Sequence, residues 1–301
     1  MDSESCSIDA KPAGSLKTLL RWFILDAVYL TGVYLFFNHA FPYGFKFLGA
    51  HLAAICIGTL VMYTGLGAGV LWIPILTFFN LPPAEAVTIS IFTQIAGKGM
   101  GSFIYLRAGT VDLKVARTFL PYTLAGVMAG YFAGFGLSLK YEAMLLYVFV
   151  AVALYLLIVM IKSLFDEKED SGKQFNQEAM KKSGFIVTFS SFFTGLLSIG
   201  NSDWLIPHME RNLRMPTHRA VATGLFVMFT ATIFYFTLIM LSVAAGIRQM
   251  PAHTPLLLAT CAGVAIGGRI GPCFLNFKWL EKRQKHAFII MLLVSIIHLL
   301  C

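Results

Sequence analysis

The sequence predicts an all-α polytopic membrane protein of two inverted repeats, each a re-entrant broken-helix hairpin plus three transmembrane helices, preceded by one extra N-terminal helix. Composition, a recurrence of motifs between the halves, and the placement of Lys and Arg lead to this reading. Of 301 residues, 57% are hydrophobic, 13% are charged and 27 are Phe, and the mean hydropathy is +0.75. A water-soluble domain does not reach such values. Apolar runs of about 17 to 25 residues instead match a hydrocarbon core about 30 Å thick.

Residues 1–18 read as a cytoplasmic tail and 19–40 as the extra helix. The helix is taken as uncleaved, because its apolar run exceeds a signal-peptide core and the following FNHAFPYG offers no A-x-A site. The first repeat covers 45–165, with apolar stretches at 47–63, 69–80, 86–106, 118–138 and 143–163. Residues 166–183 mix both charge signs with few apolar side chains, as a solvated cytoplasmic linker would. The second repeat covers 184–301, with stretches at 184–200, 203–209, 220–245, 254–275 and 287–301.

The halves align by their punctuation. Gly65, Gly67 and Gly69 with Ile73-Pro74 are echoed by Ser198, Gly200 and Ser202 with Ile206-Pro207. Pro82 with Ala86-Val87 is echoed by Pro216 with Ala220-Val221. Ala108-Gly109 followed by Gly126-x-x-x-Gly130 is echoed by Ala245-Gly246 followed by Gly263-x-x-x-Gly267. Four coincidences in one order imply a duplication.

A hairpin plus three spans crosses the membrane an odd number of times, so the second copy must be inverted. With the N-terminus inside, 18 of the 23 Lys and Arg fall in predicted cytoplasmic segments, and only Lys46, Lys140 and Arg248 fall outside. This is the bias expected of correctly oriented loops. Two cations, Lys98 and Arg269, are left within spans.

The stretch TGLGAGVLWIPI, 64–75, marks the first hairpin. Glycine allows a tight reversal and close backbone approach, and Pro74 cannot sit in a helix interior without losing a hydrogen bond. Irregular backbone at membrane depth is tolerated only inside protein or beside a water-filled cavity. Paired broken helices near the midplane are a transporter plan, with substrate held where the broken ends meet. Gly65, Gly67 and Gly69 therefore mark either a binding site or close helix packing of the kind that Gly126 and Gly130 suggest.

Lys98 lies near the middle of its span, where a charge costs at least about 2.5 to 3.5 kcal/mol. Its partner is either an anionic substrate or an internal carboxylate, Asp203 or Glu85. Gly97, Gly99 and Gly101 are expected to leave the ammonium accessible, with Ser90, Thr93 and Gln94 one to two turns away. The tip of the second hairpin, GNSDW, offers Asn201 and Ser202 to a substrate. Asp203 there takes a coupling proton or cation, or neutralises Lys98. Arg269 either gates the inner mouth of an anion path or snorkels to the cytoplasmic interface. Asp26 and His298 are expected at the membrane interface.

The small anion is then the substrate and the bilayer the solvent. Proton or sodium is the candidate coupling ion, and a homodimer is compatible. Nucleic acid is not implied, because the +8 charge resides in topogenic loops. The five scattered cysteines form neither a disulfide framework nor a metal site. No cofactor is expected, and no G-x-S-x-G, H-E-x-x-H or P-loop pattern occurs. His208 and His218 flank a basic loop with Arg211, Arg214 and Arg219, where a solvated face is the default. The competing class is a membrane-embedded enzyme or partner subunit acting on lipid-linked phosphate through Arg211, Arg214, Arg219 and Arg269.

GLGAGVLWIPIL, LPPAEAV and YLRAGTVD in the first half, with TGLLSIG, MPTHRAVATG and AGVAIGGRIG in the second, carry a resemblance over about 50 to 300. The sequence resembles the TauE/SafE sulfite and organosulfonate exporters of the bacterial inner membrane. The resemblance implies export of a small anion such as sulfite, sulfoacetate or another sulfonate.

Overall fold

The computed structural model describes residues 16–36, 45–64, 68–140, 142–165, 183–199, 202–249, 254–271 and positions between 286 and 297. No strand occurs among the described residues. The helices are α1 (Leu16–Phe36), α2 (Phe45–Thr64), α3 (Gly69–Phe78), α4 (Pro83–Arg107), α5 (Leu113–Lys140) and α6 (Glu142–Phe165). After the linker come α7 (Gly184–Leu197), α8 (Ser202–Asn212), α9 (Thr217–Ala244) and α10 (Thr254–Ile270). Large apolar side chains cover much of the outside, with Phe185 79% and Tyr147 72% exposed. Water is a poor solvent for such a surface.

The chain is interrupted between α2 and α3, and again between α7 and α8. The prolines are not the cause. Pro74 and Pro207 each lie inside a short helix, α3 and α8, at the sixth residue. A proline that deep removes an i to i−4 bond without having to end the helix. The break precedes each proline, and Ser198 at the end of α7 adopts a left-handed φ of 60°.

Turn chemistry repeats where the motifs repeat. Asn80 and Arg214 are both left-handed, with φ of 63° and 50°. Two residues on, Pro82 and Pro216 cap α4 and α9 with φ, ψ of −57°, 143° and −55°, 139°. Proline presets that extended entry, and its missing N–H costs nothing there. Gly109 and Gly246 turn the chain after α4 and α9 at φ of 67° and 70°, where glycine carries no steric penalty. Asp112, of the Gly-x-Val-Asp motif, caps α5 by accepting from the amides of Lys114 and Val115 at 3.0 and 3.1 Å.

Packing exchanges partners between the halves. α5 lies on α7, α10 lies on α2, and α4 packs on both α9 and α10. Small residues make the first two contacts close. A Cβ at Gly126 or Gly130 would lie 2.3 and 1.9 Å from the carbonyls of Thr188 and Phe192 on α7. At Gly263 or Gly267 it would lie 2.5 and 2.3 Å from those of His51 and Ile55 on α2. Both Gly-x-x-x-Gly faces are thus helix seams, as small residues permit.

Candidate functional site

The polar residues of α4 converge on one stripe. Ser90, Gln94 and Lys98 stand four residues apart, which stacks them along one helical face, and they are buried at 0%, 1% and 0% exposure. Among the described residues, Lys98 is the only buried Lys or Arg. Its Nζ donates to Gln94 Oε1. An ammonium can only donate, so this contact fixes the amide with its oxygen toward Lys98 and its NH2 toward the second half. That NH2 donates to Ser198 Oγ at 2.7 Å, Ser90 Oγ at 2.9 Å and Ser198 O at 3.2 Å. The Ser198 hydroxyl in turn donates to Ser90 Oγ at 3.0 Å.

The interrupted helices meet at this network. A Cβ at Gly69 would fall 1.8 Å from Ser198 O and 2.5 Å from its carbon. The start of α3 and the end of α7 therefore touch backbone to backbone, which only glycine allows. Ala68, at the N-cap of α3, gives no side-chain cap. Trp72 Nε1 on α3, Thr194 Oγ1 on α7 and Ser202 Oγ on α8 are buried without a hydrogen-bond partner among the described residues. Trp204 Nε1, also on α8, is a fourth, and since buried polar groups are nearly always paired, four on the interrupted helices are unusual.

Some expectations change. Gly97, Gly99 and Gly101 do not open a path to Lys98. A Cβ there would strike Val264 Cγ1 at 2.3 Å, Phe229 Cε2 at 2.9 Å and Met62 Sδ at 2.3 Å, so neighbouring side chains occupy the room. Glu85 is not the partner of Lys98. It stands thirteen residues earlier on the same unbroken helix, about 20 Å away at 1.5 Å per residue. Thr93 bonds to Ser90 O on its own helix and stays out of the network. Gly65, Gly67, Asn201 and His298 lie outside the described residues, as do the side chains of Asp203 and Arg211.

A second polar group joins α1 to the rest. Asp26, expected at the interface, has a side chain only 11% exposed and pairs at 2.9 Å with His51 Nε2 on α2. His51 Nδ1 lies 2.9 Å from Ala259 O on α10. Beside them is a cavity of about 370 Å³ lined by residues of α1, α10 and Met100, including Asp26 and Arg269. The Arg269 guanidinium stacks over the Trp22 ring at 4.2 Å. His208 is not simply solvated. It is half-buried, contacts Ser183 Oγ through Nε2, and accepts at Nδ1 from Asn212 Nδ2 at 2.7 Å.

Residues 50–299 match the Sulfite exporter TauE/SafE family. The chain belongs to the TauE/SafE sulfite exporter family. It is similar to the probable membrane transporter protein YunE of Bacillus subtilis (strain 168), at 23% identity over 236 residues, 71% of this chain and 83% of that protein. No solved structure matches. Membership in a family of membrane transporters accounts for the exposed Phe, Leu and Tyr side chains, which suit lipid better than water. The competing reading, an enzyme or subunit using Arg211, Arg214, Arg219 and Arg269 on lipid-linked phosphate, is not favoured.

Sequence reasoning selected Lys98, Gln94 and Gly69, which the structure brings together. It gave Ser198 no role in the site and named Ser90 only as a neighbour of Lys98. The available signal was the alignment of Ser198 with Gly65 as a hairpin-tip position. Nothing in sequence pointed to the Asp26 and His51 pairing, since these residues are 25 apart on separate helices.

Proposed function

We propose that the protein exports a small anion, sulfite, sulfoacetate or a related organosulfonate, by alternating access at a midplane site between two oppositely oriented broken-helix hairpins. The carrying observation is a buried ammonium, Lys98, linked through Gln94 to the meeting point of the interrupted helices. Two further features support an anion. The first turn of α3 has no side-chain cap, and a helix N-terminus is the positive end of the helix dipole. Trp72, Thr194 and Ser202 supply buried donors without partners among the described residues, and a sulfonate carries several acceptor oxygens for them.

The second half has Thr232 where the first has Lys98, counted from the capping prolines Pro82 and Pro216. The charge is thus supplied from one side only, while the hairpins provide the frame. The exchange of packing, α5 on α7 and α10 on α2, is what a two-fold relation between the halves would generate, and the placement of Lys and Arg supports their inversion. Asp203 remains the candidate for a coupling cation in the second tip, and Arg269 the candidate for the inner mouth.

Two measurements test this. Radiolabelled sulfite, sulfoacetate and sulfate uptake into proteoliposomes is compared under imposed pH and sodium gradients. Sulfite or sulfoacetate flux well above protein-free liposomes is expected, and equal rates overturn the anion reading. Cysteine-accessibility labelling is expected to place residues 80–85 outside and 208–219 in the cytoplasm. A common side for both would overturn the inversion.

A further inference from the structure

We infer, on the premise of anion export, that Arg248 and Tyr235 form a second anion site at the outer end of the path, where the departing sulfonate or sulfite is held before release. Arg248 is one of only three Lys or Arg on the predicted external side, where a cation runs against the orientation rule. The turn after α9 holds it in place. Gly246 is left-handed, and the amides of Ile247 and Arg248 both donate back to Ser242 O, at 2.9 and 3.2 Å. The backbone therefore returns toward α9, and Arg248 is half-buried.

Its guanidinium has donors to spare. Nη2 donates to Thr88 Oγ1 on α4 at 3.4 Å, a long contact. Thr88 gives its own hydroxyl hydrogen to Ala84 O at 3.0 Å, so toward Arg248 it only accepts. A guanidinium carries five N–H donors, and no carboxylate among the described residues pairs with this one. Beside it is a cavity of about 10 Å³, room for one water-sized group. Val87 of α4, Tyr131 of α5, Leu196 of α7, Tyr235 of α9 and Arg248 line it, and no acid does. Tyr131 is committed: its hydroxyl bonds to Ser242 Oγ at 2.5 Å and to Leu238 O at 3.3 Å. Tyr235, 3% exposed and packed edge-on against Tyr131 at 5.5 Å, makes no hydrogen bond through its hydroxyl among the described residues. The uncommitted donors at the cavity are thus a guanidinium and a phenol. A negatively charged group with several acceptor oxygens satisfies both, and the space seats one oxygen of such a group.

The cavity adjoins the Lys98 network on two elements. Val87 shares a face of α4 with Ser90 and Gln94, and it lies about 10 Å from Gln94 along the axis at 1.5 Å per residue. Leu196 comes two residues before Ser198 at the end of α7. The matching contact in the first half shows that the fold does not need a cation here. After α4 the chain turns at Gly109 and reaches α9, where Asp112 N donates to Thr223 Oγ1 at 2.9 Å. After α9 it turns at Gly246 and reaches α4 through Arg248 and Thr88. Counted from these two glycines, Val111 stands where Arg248 does. A neutral backbone amide closes the first contact, so the charge in the second is available to a ligand.

Two experiments on the full chain test the outer site. First, melting midpoints in detergent are followed as sodium sulfoacetate replaces sodium gluconate at constant ionic strength. A ligand that binds the folded state raises the midpoint. The rise is expected to persist in Lys98→Ala, which keeps the outer site, and to vanish when Arg248→Gln is added to it. A rise seen in the unsubstituted chain but absent from Lys98→Ala, or one that survives in the double variant, overturns the inference. No rise in the unsubstituted chain counts against both sites. Should Arg248→Gln not fold, Tyr235→Phe keeps the ring against Tyr131. In the Lys98→Ala background it is expected to raise the half-maximal sulfoacetate concentration about 2- to 10-fold, the loss of one hydrogen bond. An unchanged concentration overturns the inference.

Second, exchange of labelled sulfoacetate is measured in right-side-out and in inverted membrane vesicles, which present the outer and the cytoplasmic face to the medium. Arg248→Gln is expected to raise the half-saturating concentration about tenfold in right-side-out vesicles, as loss of a charge-assisted contact would, and to leave it unchanged in inverted ones. Arg248→Lys, which keeps the charge, is expected to fall between. A structural role alone would lower the maximal rate on both faces alike. Equal effects in the two kinds of vesicle, or none in either, overturn the inference. Lys98→Ala separates the sites, because a midplane ligand is expected to affect both faces. If the unsubstituted chain exchanges nothing, the export reading fails, and the melts alone decide whether Arg248 binds the anion.

Discussion

Lys98→Ala is expected to lower sulfite or sulfoacetate flux by about 10- to 150-fold while the protein still folds. The ammonium is the buried cation closest in the hydrogen-bond network to the meeting of the hairpins. A charge-assisted contact contributes about 1.5 to 3 kcal/mol, and each 1.4 kcal/mol is about tenfold in affinity. Folding survives because the substitution also removes the desolvation cost of a buried charge, which offsets much of what is lost. Gln94 keeps its bonds to Ser90 and Ser198, so the seam between halves stays closed. Flux in proteoliposomes, with a monodisperse size-exclusion profile as the folding check, gives the answer. A folded Lys98→Ala protein with unchanged flux would remove Lys98 as the anion's ligand.

Gly69→Ala is expected to destabilise the protein by about 3 kcal/mol, the upper range for an overpacked site. The added Cβ would lie 1.8 Å from a backbone oxygen that cannot swing away. Ser198 is itself left-handed and held through its hydroxyl and carbonyl by Gln94. Relief therefore requires separating α3 from α7, the movement that would also disorder the anion's donors. Gly49→Ala and Gly32→Ala are the controls. Nothing lies within 4 Å of a Cβ at either, and alanine in a helix is favoured over glycine by about 1 kcal/mol. Thermal melts in detergent should place Gly69→Ala well below the parent, with both controls at or above it. A Gly69→Ala melt that coincides with the controls would mean that the hairpin contact does not hold the halves together.

Both expectations rest on residues that were conspicuous before any coordinates, but for different reasons. Lys98 stands out because a cation in an apolar span is costly wherever it points. Gly69 stands out because alternate glycines do not line one helical face and need a backbone explanation. The misreadings are equally physical. Gly97, Gly99 and Gly101 looked like a window onto Lys98, since a missing side chain and an open space look identical in a sequence. Val264, Phe229 and Met62 fill that space. Pro74 looked like the helix breaker, yet α3 continues through it. Ser198 looked ordinary because its partners are 104 and 108 residues away.

The sequence by itself determined what depends on neighbours along the chain. It set the apolar run lengths, the interruptions near 65 and 198, the proline entries into α4 and α9, the glycine turns at 109 and 246, and the family. These follow from backbone conformation and hydropathy, which are local. Only the tertiary structure decided which groups are buried and whom they meet: Lys98 against Gln94, Gln94 against Ser198, Asp26 against His51. A hydrogen bond across helices depends on crossing positions set by every packed side chain between them, and that sum is not written in any one segment.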